Sequence, residues 1–192
     1  MVKSAFSILA VAAIGGGIAL IPVAASAATA GPAVLARSTT ASALDPDTTV
    51  TFTVSGGSLS LTAPTSVDLG TNGPGTTLTG SLGVVTVTDN RAAVDATWTA
   101  VASASDWTTG GGTPAETIPA TDAGYDPGSI TTTGTVTATG TPITLAGTPA
   151  PVVTGTAING SNTASWNPAI SVAVPASAVA GIYAGTITQS VS

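Results

Sequence analysis

Side chains able to move a proton near neutrality, attack a carbonyl or bind a transition metal are scarce in this sequence. Its 192 residues contain no His and no Cys, which removes the usual acid–base group, the thiol nucleophile and the common zinc ligands together. The one Lys is Lys3, at the N-terminus, so the rest of the chain holds no Ser–Lys pair. Carboxylates remain: Asp89, Asp95, Asp106, Glu116, Asp122 and Asp126. A glycosidase needs only two of them at a set separation, yet nothing in their spacing selects a pair. Asp122 and Asp126, ahead of Pro127 and Gly128, offer oxygen ligands to calcium. The dense alternating carboxylates of a calcium loop are missing, and turn formation is the plainer reading. No metal or other cofactor is expected. The chain reads as a non-enzyme.

Aromatic side chains are the other source of chemistry. Trp107 stands beside Asp106, after an alternating strand and before Gly110, Gly111 and Gly112. An indole in that place has two readings: a platform on which a sugar ring stacks, or a plug at the edge of the core. The candidate ligand-binding residues are Trp107, Asp106 and Tyr125, the last in the loop that follows. Trp98 and Trp166 fall within alternating strands and are assigned to the core. Tyr183 is expected to tie its hydroxyl to a backbone group.

The formal charge is −6. Residues 1–27 read as a secretory signal peptide, with a cationic start at Lys3, an apolar run from Ala5 to Val23, and a small-residue cleavage site at Ala25-Ser26-Ala27. The competing reading, a retained membrane helix, is weakened by Gly15, Gly16, Gly17 and Pro22 and by the lack of a following positive stop. After cleavage, Arg37 and Arg91 are the only cations, which argues against nucleic acid or anionic membrane as a partner. The expected setting is outside the cell, secreted or at the cell surface and wall. Without Cys the exported chain takes no disulfide.

Threonine, alanine, glycine and valine dominate, a composition suited to pleated, half-buried strands punctuated by turns. Residues 28–48 read as a flexible segment, and 49–192 as the folded domain. Within it, Thr49 to Val54 alternates, with Val50, Phe52 and Val54 on one face. Ser58 to Thr62 alternates again until Pro64, and a strand follows around Thr76 to Thr79. Leu82 to Trp107 reads as two strands joined by a polar turn at Asp89-Asn90-Arg91. The second strand puts Ala96, Trp98, Ala100 and Ala102 on one face, and Arg91 is placed to ion-pair with Asp89 or Asp95. Thr108 to Ser129 is loop-like. Strand character resumes from Ile130 to Thr148, Asn159-Gly160-Ser161-Asn162 reads as a strong turn, and three further strands reach Val191, with Asn167-Pro168 as a kink. This pattern points to an all-β fold, a two-sheet antiparallel β-sandwich of Ig-like, Greek-key type. A closed barrel is the runner-up.

Laid out this way, the chain resembles the WxL family of Gram-positive cell-surface proteins. Four patches carry the likeness: Gly57 to Leu61 with Ala63-Pro64; Leu82 to Arg91; Trp98 in the next strand; and Ser165 to Pro175 with Ala180 to Val191. The first family motif departs here, with Trp98-Thr99-Ala100 carrying alanine for leucine, and Gln189-Ser190-Val191 stands where the second is expected. The resemblance implies non-covalent attachment to cell-wall peptidoglycan, alongside other surface proteins. A second expectation comes from the strands themselves, whose edges lack guarding lysines: self-association into a surface layer or fibre.

Overall fold

A computed structural model describes residues 48–192. The expected signal peptide and nearly all of the 28–48 segment lie outside the described residues. The compact unit, Val50–Ser192, is all-β and its strand pairs are antiparallel. In chain order the strands are β1 (Leu59–Thr62), β2 (Thr77–Ser81), β3 (Val85–Asp89), β4 (Val94–Ala104), β5 (Trp107–Thr108), β6 (Thr117–Ile118), β7 (Ala123–Asp126), β8 (Ile130–Gly140), β9 (Ile143–Thr144), β10 (Ala150–Trp166), β11 (Ala169–Ala173) and β12 (Ile187–Val191).

The 17-residue β10 is the spine of the larger sheet. Thr154 faces Thr139 of β8 and Thr99 of β4, while Ala164 faces Thr132 of β8 and Val87 of β3. A strand has two edges, so β8 runs along one of them and β3 and β4 share the other. β3 and β4 therefore follow one another along that edge of β10. The polar segment between them is not the hairpin turn that its composition suggests, because the two strands do not pair with each other. The expected turn at Asn159 to Asn162 falls inside β10, as a bend where the register slips and not as a hairpin. In both places single residues in or beside the polar stretch are left-handed: Ala92 (φ 54) and Asp95 (φ 52) in the first, Ala157 (φ 53) and Gly160 (φ 76) in the second. The pairing of β10 slips in register between Gly155 and Asn159. A bulge and a turn need the same backbone, and pairing on both flanks makes these bulges.

Asp89 closes the break. Its carboxylate is 1% exposed and accepts from the Arg91 backbone N at 3.0 Å, from Nε at 2.9 Å and from Nη2 at 2.8 Å. The same Nη2 donates to the Thr97 carbonyl at 3.0 Å, well inside β4. The ion pair expected of Arg91 is present, with Asp89 as its acid. Hydrogen bonding by Arg91 holds the Asp89 carboxyl below its ordinary value, against the opposing effect of burial.

Outside β3 and β4 lies a third row. β1 pairs with β3 and β12 with β4. The row is extended by a Gly57 N to Asn90 O bond at one end and by reciprocal bonds between Thr99 and Ser192 at the other. Val50 to Val54, read from the sequence as the first strand, does not join it. These residues lie outside every strand, with Val50 80%, Phe52 87% and Val54 75% exposed. Two contacts account for this. Gly56 already lies against the Arg91 carbonyl, and the Arg91 guanidinium occupies the Thr97 carbonyl that a continuing strand would need.

The smaller sheet runs β2-β11-β7-β9. Asn167 and Pro168 carry the chain from β10 in one sheet to β11 in the other, where a kink was expected. One apolar cluster draws on both sheets: Val85, Val87, Trp98, Ala164 and Trp166 from the larger, and Ala123, Tyr125, Ile170 and Val172 from the smaller. Trp98 lies across its cross-strand partner Gly155, where an added Cβ would come within 2.6 Å of indole Cζ2 and Nε1. The loop expected from Thr108 to Ser129 instead contains β6, β7 and two 3-10 turns, Pro114–Glu116 and Ala120–Asp122. These elements are too short to show a period among the prolines and glycines.

Gly155→Ala should lower stability by about 2–3 kcal/mol in denaturant unfolding, since the indole must move off a fixed backbone. Adding Trp98→Phe should recover part of the loss. Arg91→Ala should cost about 2–3 kcal/mol at neutral pH by leaving the Asp89 carboxylate buried and unpaired. The sign with pH follows from the lowered Asp89 value: the unfolded chain takes up this proton first, so stability falls as pH drops through about 3.8 and below. The deficit of the variant should therefore shrink in acid, as unfolding curves across pH will reveal.

Candidate functional site

Trp107 is held from two sides. β5 pairs with β6, setting Trp107 opposite Ile118, and Thr108 exchanges two 3.0 Å backbone bonds with Ala184. The indole lies against Gly185, where an added Cβ would stand 2.7 Å from Cδ1. The neighbouring Asp106 side chain accepts from the Ala120 backbone N at 2.8 Å and so pins the second 3-10 turn. Glu116 accepts from Thr113 N at 3.0 Å and from Thr113 Oγ1 at 2.8 Å, which holds its carboxyl below the ordinary value. Gly110 packs against that carboxylate. The triple-glycine stretch is thus a tight loop wrapped around Glu116.

Half-buried Trp107 forms part of a groove of about 890 Å³. Residues 64–74 line one side and 178–187 the other, above a floor that includes Leu78, Leu82, Ile118 and Val172. The second wall is fixed by Tyr183, whose hydroxyl lies 3.1 Å from the Ala115 carbonyl and 3.0 Å from that of Val179. A backbone tie was expected for this hydroxyl. The rim is rich in hydroxyls and amides, from Thr65, Ser66, Thr71, Asn72 and Thr186. Its one charged side chain, Asp68, accepts from the Gly70 backbone N at 2.8 Å. Ile182, 90% exposed, stands on the far wall.

The three candidates from the sequence do not converge. Trp107 is in the groove and Asp106 is beside it, with its carboxylate committed to Ala120. Tyr125 is a core residue, 1% exposed, on β7 of the smaller sheet. Its hydroxyl donates to Gln189 Oε1 at 2.8 Å and accepts from Trp166 Nε1 at 2.9 Å. Burial pushes the phenol up to about 12. It borders a different cavity, of about 340 Å³, with Thr79, Asp126 and Pro142. Trp98 and Trp166 are in the core, as read from the alternation.

Sequence reasoning missed both walls of the groove. Their signal is weak but present: Val67, Leu69 and Val179 are apolar residues in stretches with no strand alternation, while Ile182 falls in the stretch read from Gly181 to Val191 as the last strand, which the structure begins only at Ile187.

Five carboxylates serve local structure. Asp68 caps Gly70, Asp89 holds Arg91, Asp106 holds Ala120, Glu116 holds Thr113, and Asp126 accepts from Gly128 N. No group of three or more metal-ligating side chains occurs among the described residues. The groove lining combines the Trp107 indole, an apolar floor and a rim of hydroxyl and amide groups. Compared with protein-family models, with curated proteins and with solved structures, the chain gives no match.

Tyr125→Phe should lower stability by about 1–3 kcal/mol, because it strips Trp166 Nε1 and Gln189 Oε1 of their partner inside the fold. Thermal or denaturant unfolding will register that loss, and any ligand affinity of the groove should be unchanged.

Proposed function

We propose that this chain is an exported, non-enzymatic cell-surface module that binds the wall or a surface partner without a covalent link. In this reading it is a WxL-like protein, its two antiparallel sheets face each other as a β-sandwich, and the groove beside Trp107 takes a glycan strand of peptidoglycan. The observation that carries the reading is the groove itself: an indole edge, an apolar floor and a hydroxyl-rich rim with one carboxylate and no cation. Such a lining favours sugar rings, with one apolar face each, over phosphate polymers, which need positive charge. The scarcity of cations among the described residues, where Arg91 is already paired, supports the same choice. A second reading, a structural subunit that assembles with copies of itself, is favoured by the unguarded edge of β8.

Co-sedimentation of the purified protein with purified Gram-positive cell wall tests the first reading. The wild type should pellet with the wall, and Trp107→Ala should weaken binding roughly ten-fold, equivalent to about 1.4 kcal/mol for a central aromatic contact. A wild type that stays in the supernatant overturns wall binding. Undiminished binding of the Trp107 variant moves the site away from the groove.

A further inference from the structure

The two edges of the larger sheet carry complementary unmatched features. On one side, β8 pairs with β10 and with no other strand among the described residues. Its outer edge runs through eleven residues, ITTTGTVTATG, with no charged residue and no proline, and the left-handed Gly134 (φ 75) divides it so that residues 135–140 form its longer regular part. Edges of this kind are normally blunted by lysine, proline or a covering loop. Here the edge is open, and Ile130, Val136 and Ala138 beside it are packed partly against the core. On the other side, past β1, Val50 to Val54 hangs free. Its sequence, VTFTV, has the two-residue period of a strand with an apolar face, and that face is almost wholly in solvent.

We propose that residues 50–54 of one molecule add as a strand to the outer edge of β8 in a second copy. Main-chain bonds along the β8 edge supply the affinity. Val50, Phe52 and Val54 then extend the apolar layer begun by Val136 and Ala138. Neither segment contains a charged side chain to oppose the contact. The placement favours another copy over the molecule's own β8. The donor leaves the sheet at the β1 row, with β3 or β4 and then β10 between it and the acceptor edge. The donor's own row is closed by Arg91 at Thr97. Donor and acceptor are different surfaces, so the contact is head-to-tail, and repetition gives an open chain of molecules. The proposal is independent of the groove and of wall binding.

Sedimentation velocity of the purified protein over a wide concentration range is the test, with circular dichroism as the folding control. The wild type should form a ladder of species larger than a dimer that grows with concentration. Phe52→Lys, at an exposed donor position, should abolish the ladder, and so should Thr135→Lys combined with Thr137→Lys on the acceptor edge. Mixing the two variants should restore association but stop it at a one-to-one pair, because one variant keeps only its acceptor and the other only its donor. A wild type that remains monomeric at every concentration overturns the proposal. So does a ladder that survives either variant, or a mixture that fails to pair.

Discussion

A single guanidinium spans the corner between two strands of the larger sheet. β3 and β4 follow one another along one edge of β10, and the chain between and just after them is left-handed at Ala92 and Asp95. Chain of that kind turns. Arg91 fixes the turn by gripping Asp89 on one side of the break and the Thr97 carbonyl on the other. The buried carboxylate is tolerable because bonds to the backbone and both arms of the fork satisfy it, and Arg91, a third exposed, keeps contact with water. The same residue closes the gap in the outer row. One side chain thus fixes how two strands follow one another and keeps a third segment free.

The parts of the fold that alternation controls were legible in the sequence. Trp98, Ala100 and Ala102 face the core as their spacing requires, and β1, β2, β3, β11 and β12 lie within or near the stretches read for them. Turn chemistry was legible as backbone geometry but not as topology. Asn159-Gly160 does place glycine in the left-handed region, yet strands pair with β10 on both sides of it, so the chain bends there without forming a hairpin. No local rule distinguishes a hairpin from a bulge when the deciding partner is distant in the chain. Val50 to Val54 fails for the opposite reason: its pattern is right, and its place beside β4 is taken.

The candidate site was half legible. Trp107 marked itself as an aromatic at the end of a strand, and the groove forms beside it. Tyr125 misled because a four-residue strand between Pro/Gly stretches leaves no period to read; only β11 and β9 on its flanks reveal it as core. The walls, residues 64–74 and 178–187, are irregular chain brought together by β2, β11 and the Thr108–Ala184 bridge, and nothing local announces that meeting.

The late position of β10 has a consequence for how the fold is reached. Asp89 waits for Asn162 and Trp98 for Gly155, so the spine is among the last strands to leave the ribosome, and the contacts that complete the sheet are long-range in sequence. Folding limited by such contacts is slow, and the earlier strands spend that interval without their partner. Their composition suits the delay. Threonine gives β3, β4 and β8 the stiff, branched Cβ that favours extended chain, while its hydroxyl keeps the waiting strands wetted in a way that valine would not. The threonine faces of the finished surface are thus suited, during assembly, to keeping an incomplete sheet hydrated.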